Sequence, residues 1–220
     1  MFIPQFIRNL FARKHDEFAS LMRAFQAVPD PIHKWSIPFP VAVFGTLRFA
    51  GGNHPLMGLP VGSKAPDNGD DDGMGWYERR PWTDARYSRV IKAFLPNFTV
   101  QGIQVLACPE HAVYFEVFVY DAENWAKAIT KIDRLEAFRP QDADHSWYYR
   151  TLVNLRVLPD TFDTPGSICQ HVHINPSHWE QYPTMPCWIY SSNRENRKSR
   201  SFDGSPIIWA GERAREEVLV

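Results

Sequence analysis

Val41-Ala42-Val43-Phe44-Gly45-Thr46-Leu47-Arg48 carries the strongest structural signal in this chain of 220 residues. The apolar, partly β-branched residues before Gly45 predict a strand, and Gly45 predicts the turn that ends it. A strand that ends in a glycine turn brings several backbone N–H groups into one concavity, which binds a carboxylate or a developing oxyanion. An ordinary loop after a strand has the same composition, so the turn by itself leaves both interpretations open.

Five later segments resemble, together with residues 44–48, the conserved segments of one protein family in the same order. They are Glu116-Val117-Phe118-Val119-Tyr120-Asp121, Ile132-Asp133-Arg134-Leu135-Glu136-Ala137-Phe138, Tyr148-Tyr149-Arg150-Thr151-Leu152, Cys187-Trp188-Ile189-Tyr190 and Ile207-Ile208-Trp209-Ala210-Gly211. The family is the γ-glutamylcyclotransferase-like family, which includes γ-glutamylamine cyclotransferases and the plant avirulence-induced-gene-like proteins. Residues 44–48 resemble its Tyr-Gly-Thr-Leu-Arg/Lys signature, and residues 132–138 resemble its Leu-Asp-x-Leu-Glu-Gly-Tyr segment. The resemblance covers roughly residues 38–213.

The resemblance implies a fold and a reaction. The expected fold is α+β, a small mixed β-barrel flanked by helices, to which this chain adds an N-terminal helix. The expected reaction releases 5-oxoproline and a free amine from a γ-glutamyl amine or amide, by attack of the substrate's α-amine on its own γ-carbonyl. Glu136 would be the catalytic acid/base, and no metal or redox cofactor would be required. The predicted substrate contacts are Phe44, Gly45, Thr46, Leu47, Arg48, Tyr148 and Tyr190.

Glu136 also stands out by its neighbours in the sequence. Leu135, Ala137 and Phe138 give it an apolar setting near the end of a predicted helix over residues 122–138. Apolar surroundings disfavour the ionised carboxylate and raise its pKa, so such a group can take up and return a proton near neutral pH. Asp133 lies three residues earlier, where both acids would share one helix face. A solvated glutamate near a helix end is the alternative interpretation.

The chain departs from the family pattern at three positions and by one insertion. Phe44 replaces the usual Tyr, and Phe115 and Ala137 replace usual Gly residues. The insertion lies at about residues 56–88, and its Gly and Pro content predicts a long loop that could select the leaving amine. These departures bear on the substrate more than on the fold. Phe44 and the added N-terminal helix motivate a second functional interpretation, a catalytically silent binding or assembly module on the same fold. A third is a related transferase or hydrolase that uses the same pocket on another acyl group.

Three side chains near the predicted site have two interpretations each. Arg48 either attracts the substrate carboxylate or ends its strand in water. Tyr148 and Arg150 would lie on one face of a strand over residues 148–158, with Tyr149 on the other face. There they either shape the pocket, or Tyr148 is a core residue and Arg150 a surface ion-pair partner.

The N-terminal region is predicted to be a separate unit. Apolar residues at nearly helical spacing predict an amphipathic helix that ends before Pro29 and Pro31, followed by a linker over residues 28–38. The predicted organisation is therefore residues 1–37 as helix and linker, and residues 38–220 as the cyclotransferase-like domain. The helix would pack on that domain, dock a partner or second copy, or lie on a membrane surface.

The rest of the chain is predicted to be mainly β. Alternating apolar residues predict strands within residues 90–108, broken near Pro96-Asn97, and a further strand over residues 112–120. Shorter strands are predicted at residues 171–174 and 186–191, and a polar turn at residues 139–147. Strands thus outnumber helices, which is typical of an α+β domain or a mixed barrel.

Composition and motifs exclude several classes of function. A formal net charge of −1 argues against a large nucleic-acid interface. The 3 cysteines have no C-x-x-C spacing, and no apolar run approaches the ~18–20 residues that span a bilayer, so a cytoplasmic protein without a transmembrane segment is predicted. Residues 68–73 resemble the start of a calcium loop, but the twelfth position is Arg79. His171 and His173 have no identifiable third ligand, so no metal site is predicted.

Overall fold

The computed structural model describes residues 18–48, 52–64, 83–101, 104–163 and 171–191. Its strands are β1 (Val41–Val43), β2 (Leu59–Pro60), β3 (Arg86–Tyr87), β4 (Arg89–Gln101), β5 (Gln104–Val119), β6 (Tyr149–Val157) and β7 (Thr184–Ser191). Its α-helices are α1 (residues 18–27), α2 (Pro31–Lys34) and α3 (Ala122–Leu135). Short 3-10 helices lie at His54–Met57, Pro140–His145 and Pro176–Gln181.

Five of the strands close into a small mixed barrel in the order β1-β5-β4-β6-β7. The pairing of β1 with β7 is parallel and closes the barrel, whereas the other four pairings are antiparallel. The coarse prediction of an α+β fold with a mixed barrel and flanking helices is therefore confirmed. β2 and β3 form a separate, parallel two-stranded sheet.

One face of every barrel strand contributes to a single apolar cluster. Because side chains alternate along a strand, a face shared by all five strands of a closed barrel is its interior. The buried side chains of this interior layer are Ala42, Ile91, Ala93, Leu95, Phe98, Val113, Phe115, Val117, Val119, Val153, Leu155, Val157, Met185, Cys187 and Ile189. Glu116 of β5 and Arg150 of β6 both lie on the strand faces that point away from this interior layer.

The helices cover the outer face of the barrel and form a second layer of core with it. α3 buries Trp125, Ala128, Ile129 and Ile132, a spacing that places them on one helical face. They pack with outward-facing strand residues such as Phe118 and Trp188. Full burial of each large side chain stabilises the fold by about 1.5–3 kcal/mol. Three of the predicted site residues, Leu47, Tyr148 and Tyr190, pack in this outer layer between α3 and the barrel wall.

α3 ends three residues earlier than the sequence predicts. Ala137 adopts a left-handed conformation with φ of 50° and cannot continue the helix. The Ala137 N–H donates to the Arg134 carbonyl at 3.3 Å, and the Phe138 N–H donates to the Asp133 carbonyl at 2.8 Å. These two bonds form a Schellman motif, in which the left-handed position favours glycine. Glu136 is consequently the C-cap residue of α3.

The two predicted strand breaks are wrong, because β4 and β5 are continuous strands of one long hairpin. Pro96-Asn97 does not end a strand, because β4 continues through a bulge at which Asn97 has φ of 63°. The predicted strands that end near residue 108 and begin at residue 112 are likewise one strand, β5. A bulge absorbs a proline, which lacks an N–H to donate, without ending the pairing.

The described part of the N-terminal region packs on the barrel domain. α1 ends at residue 27, as the two prolines predict, and Phe25 is buried with Leu21 and Met22 against it in the outer layer. The predicted linker contains the short helix α2, whose first turn is capped by the Asp30 side chain accepting from the Ile32 N–H at 2.9 Å. Residues 1–17 lie outside the described residues.

The predicted loop at about residues 56–88 is ordered where the structure describes it. The first residues of this segment belong to the 3-10 helix His54–Met57. β2, which follows that helix, pairs with β3 at the other end of the segment. Gly58 has φ of 83°, and a Cβ there would lie 2.2 Å from the Ala85 carbonyl oxygen, so only glycine permits this approach. Residues 65–82, which include the calcium-like segment, lie outside the described residues.

Other predictions have mixed outcomes. The predicted turn at residues 139–147 contains a 3-10 helix, and the predicted strand at residues 171–174 is a single bridge between His171 and Val113. β7 extends the strand predicted at residues 186–191 by two residues at its start. Residues 207–211 and Cys169 lie outside the described residues. In the described part of the chain, no helix is long and apolar enough to cross a membrane.

Candidate active site

Glu136 is a half-buried acid at the C-terminal end of α3. Burial raises the pKa of its carboxyl group to about 7. No described residue makes a hydrogen bond or an ion pair with that carboxyl group, so nothing there offsets the cost of ionisation. The carbonyl end of the helix dipole disfavours the anion as well. Glu136 is thus poised to exchange a proton near neutral pH.

Asp133 is one turn away and has the opposite kind of environment. The Tyr190 hydroxyl donates to Asp133 Oδ1, and Arg150 Nη1 lies 3.3 Å from Asp133 Oδ2. Burial raises the Asp133 pKa, while the Arg150 charge and the Tyr190 hydrogen bond oppose that shift. Both oxygens of this carboxylate have partners, which suits a structural contact and not proton transfer.

Arg150 is buried at the centre of the outer layer. Its Nη2 donates to the Trp35 carbonyl at 2.6 Å, and the Trp35 indole donates to the Arg150 carbonyl at 3.1 Å. Its guanidinium lies over three aromatic rings, with distances to the ring centroids between 5.3 and 5.6 Å. The rings belong to Trp125, Phe138 and Trp188. The interpretation of Arg150 as a surface ion-pair partner is therefore wrong.

Two tyrosines predicted to contact substrate lie in the same layer. Tyr148 is half-buried and packs against the outer-layer core. Tyr190 is buried, and burial raises the pKa of its phenol well above the usual value, so it stays protonated and can donate to Asp133. The described hydrogen bond of Tyr190 joins it to α3, and no described hydrogen bond joins it to the turn at residues 44–48.

The turn after β1 is held by its own backbone hydrogen bonds and by contacts with Asn53. The Arg48 N–H donates to the Gly45 carbonyl at 3.1 Å, and the Asn53 N–H donates to the Thr46 carbonyl at 2.9 Å. The Asn53 amide also donates to Thr46 Oγ1 at 2.8 Å. Thr46 is exposed, and a methyl group built on Gly45 would meet no described atom within 4 Å. Among the described residues, the turn is therefore open at the Cα of Gly45 and at the Thr46 side chain.

Phe44 and Phe115, two of the departures from the family pattern, contact each other. Their rings meet edge to face with centroids 5.5 Å apart, at the boundary of the barrel interior. Such a pair contributes about 0.5–1.5 kcal/mol beyond its buried area. The ring of Phe44 therefore has a packing role.

Arg48 does not end its strand in water. Its side chain is buried, with Nε 3.6 Å from Glu116 Oε1 and the guanidinium 4.6 Å from the centroid of the Tyr114 ring. Leu47 beside it is buried in the same outer-layer cluster as Ile132, Phe138 and Tyr190. The turn and the end of α3 therefore share one core.

Sequence reasoning missed His54, the first residue of the 3-10 helix His54–Met57. Its ring nitrogen Nδ1 lies 3.3 Å from the Leu47 carbonyl oxygen, and its ring lies 5.7 Å from that of Phe118. Burial lowers the His54 pKa, against smaller opposing effects of the Leu47 hydrogen bond and the Glu116 charge. His54 begins the 3-10 helix that packs on α3. The nearness of His54 to residues 44–48 in the sequence was the signal that could have identified it.

His171, one of the two histidines considered as metal ligands, has other contacts. His171 Nε2 lies 2.8 Å from Thr99 Oγ1, and the His171 ring stands edge to face with His111 at 5.9 Å. Within the described ranges, no group of three or more His, Cys, Asp or Glu side chains is arranged to hold a metal ion.

Comparison of the chain with protein-family models, with curated protein sequences and with solved structures found no match. The family resemblance argued from residues 44–48 and the later segments stays a prediction. Any function must therefore be argued from the chemistry of the site itself.

Proposed function

We propose that the protein is a γ-glutamylcyclotransferase-like enzyme that releases 5-oxoproline and a free amine from a γ-glutamyl amine or amide. The observation that carries the proposal is the half-buried carboxyl group of Glu136, which has no polar partner among the described residues and a pKa of about 7. A group that must take a proton and then return it works best when its pKa lies near the operating pH. The resemblance of residues 44–48 and 132–138 to the family's segments supports the same assignment.

The backbone of residues 45–47 would hold the substrate in this reaction. Its N–H groups would bind the α-carboxylate and, in the transition state, the oxyanion that develops on the γ-carbonyl. The loss of one such donor commonly costs about 10²–10³ in rate. Because amine and carbonyl belong to one molecule, holding them in register supplies much of the rate advantage.

Glu136 would move the proton. Its carboxylate takes a proton from the substrate's α-amino group, whose nitrogen forms a bond to the γ-carbonyl carbon and closes a five-membered ring. The tetrahedral intermediate then collapses, and the bond between the γ-carbon and the leaving nitrogen breaks. Glu136 returns its proton to that nitrogen, so the free amine and 5-oxoproline leave and the enzyme is restored.

The test is 5-oxoproline release from a panel of γ-glutamyl amines and dipeptides. Glu136→Gln should lower the rate by about 10²–10⁴, the range that general acid–base catalysis contributes. Glu123→Gln is the matched control, because Glu123 is an exposed acid in the first turn of the same helix. It should retain the native rate. Equal release by native protein and Glu136→Gln, or no release by folded native protein, would refute the proposal.

The pH dependence of the rate provides a second check. The rate at low substrate should fall below an apparent pKa of about 7, as Glu136 becomes protonated and can no longer accept a proton. A rate that stays constant down to pH 5 would exclude Glu136 as the base.

A catalytically silent binding module is the second candidate. It is favoured by Phe44, which has no hydroxyl group and packs on Phe115. Calorimetric titration with the same panel separates the two candidates. Saturable binding of a γ-glutamyl compound without 5-oxoproline release would favour the module.

A further inference from the structure

Two residues on neighbouring strands hold the same carboxylate of α3. Arg150 of β6 and Tyr190 of β7 are direct partners in the strand register, so their side chains leave the barrel wall side by side. Arg150 Nη1 lies 3.3 Å from Asp133 Oδ2, and the Tyr190 hydroxyl donates to Oδ1. We call these three residues the Asp133 clamp. It adds a polar link between the C-terminal part of the helix and the barrel wall.

The Asp133 clamp acts on the turn that contains Glu136. The Asp133 carbonyl accepts from the Phe138 N–H at 2.8 Å, and the Ile132 carbonyl accepts from the Glu136 N–H at 2.9 Å. Phe138 also lies under the Arg150 guanidinium, 5.3 Å from it. Asp133 precedes Glu136 and belongs to the clamp. Phe138 follows Glu136 and contacts the clamp through its backbone N–H and its ring.

We infer that Tyr190 and Arg150 are positioning residues, which hold Asp133 so that the end of α3 keeps the Glu136 carboxyl group oriented and shielded from water. This gives Tyr190 a different role from the substrate contact that the sequence predicts. If the clamp loosens, the last turn of α3 moves and water reaches Glu136. A catalytic group held less accurately loses rate, and a shift of about 1 Å can cost about 10²-fold.

Several charged groups surround the end of α3, but the Glu136 pKa responds mainly to the exclusion of water. Asp133 and Arg134 lie on the helix, Arg139 follows it, Arg150 lies on β6, and His54 begins the 3-10 helix packed on α3. Burial is the main cause of the raised pKa of Glu136, and no neighbouring charge contributes to the shift. Its pKa therefore reports directly on how well the end of α3 excludes water.

The experiment is a carbon-13 NMR titration of the glutamate carboxyl groups in the native protein, Tyr190→Phe and Asp133→Asn. The Glu136 signal is assigned by its absence in Glu136→Gln. Tyr120→Phe is the matched control, since it removes another buried phenol hydroxyl, one that donates to the Met57 carbonyl at 2.8 Å. It should cost similar stability without touching Asp133. Rates of 5-oxoproline release from the same proteins give the second readout.

Tyr190→Phe and Asp133→Asn should each lower the Glu136 pKa by about one unit or more, toward its ordinary value. Their maximal rates should fall about 10–100-fold with little change in KM. Tyr120→Phe should leave the Glu136 pKa in place. If Asp133→Asn does not fold, Tyr190→Phe decides the question. An unchanged Glu136 pKa in folded Tyr190→Phe would overturn the inference.

The mechanistic consequence of the clamp rests on the proposed cyclotransferase activity, whereas the titration does not. A native protein that releases no 5-oxoproline would refute the proposed function. The same protein could still show the expected loss of the raised Glu136 pKa, and this outcome would support the clamp. The two failures are therefore distinguishable.

Discussion

Two buried ion pairs lie in the outer layer of this molecule, and they are anchored differently. Arg48 and Glu116 join the turn after β1 to the neighbouring strand β5, with the guanidinium over the Tyr114 ring. Arg150 and Asp133 join strand β6 to helix α3, with the guanidinium over three rings and bonded to the Trp35 carbonyl. The first pair fixes the proposed binding turn, and the second fixes the end of the helix that carries Glu136.

The difference between the carboxylates at the end of α3 shows how one helix end can separate two roles. Asp133 has a cation and a phenol hydroxyl as partners, so its charge is used to join secondary-structure elements. Glu136 has no such partner among the described residues, and its pKa rises to about 7. Two acids three residues apart therefore have different chemistry because only one of them reaches the barrel wall.

The largest effect on stability is expected for the second ion pair. Arg150→Met should lower the free energy of unfolding by about 3–5 kcal/mol, because it leaves Asp133 buried without a cation and removes the bond to the Trp35 carbonyl. Urea denaturation near pH 7 measures the change. The double variant Arg150→Met/Asp133→Asn should recover part of the loss, since no buried charge then stays uncompensated. No recovery would mean that the ring and Trp35 contacts dominate.

The first ion pair is expected to contribute less. Arg48→Met should cost about 3 kcal/mol, at the lower end of the range for a broken buried pair, because its charged atoms are 3.6 Å apart and not 3.3 Å. The same denaturation experiment applies. Carboxyl NMR should show the Glu136 pKa unchanged in this variant. A larger loss of stability than in Arg150→Met would reverse the comparison.

Glu136 is expected to oppose folding when it is ionised. Its pKa is about 7 in the folded protein against an ordinary value of 4.5, so native stability should fall as the pH rises through this interval. Glu136→Gln should therefore be more stable than the native protein by about 1–3 kcal/mol at pH 8, where solvent screening reduces the full linkage value. Thermal unfolding at pH 8 and pH 4 checks this. The gain should disappear at pH 4, and an equal gain at both pH values would contradict the assigned ionisation.

The smallest effect is expected at the C′ position of α3. Ala137→Gly should raise the free energy of unfolding by about 1 kcal/mol, because Ala137 has φ of 50° and glycine adopts this conformation without a steric penalty. The Asp133 and Glu136 side chains are untouched, so the rate of 5-oxoproline release should stay at the native level. Denaturation and rate are measured on the same sample. Destabilisation would show that the Ala137 methyl group makes a compensating contact.

Local pattern predicted most of the elements, and tertiary pairing corrected their limits. The apolar spacing of Trp125, Ala128 and Ile132 identified α3 because it repeats at the helical period. The strand break expected at Pro96-Asn97 was wrong, because pairing with β5 continues across a bulge. The end of α3 was misplaced because the apolar Phe138 continues the periodic pattern, whereas the left-handed Ala137 reverses the chain before it.

The sequence by itself determined the α+β class, the strand and turn at residues 41–48, and the apolar setting of Glu136, since each depends on residues close together in the chain. Only the tertiary structure decided that Arg48 pairs with Glu116, that Arg150 and Tyr190 hold Asp133, and that no described residue pairs with Glu136. These contacts join residues from 17 to 68 positions apart, as their numbers in the sequence show. Their geometry depends on barrel closure and strand register, which no local pattern encodes.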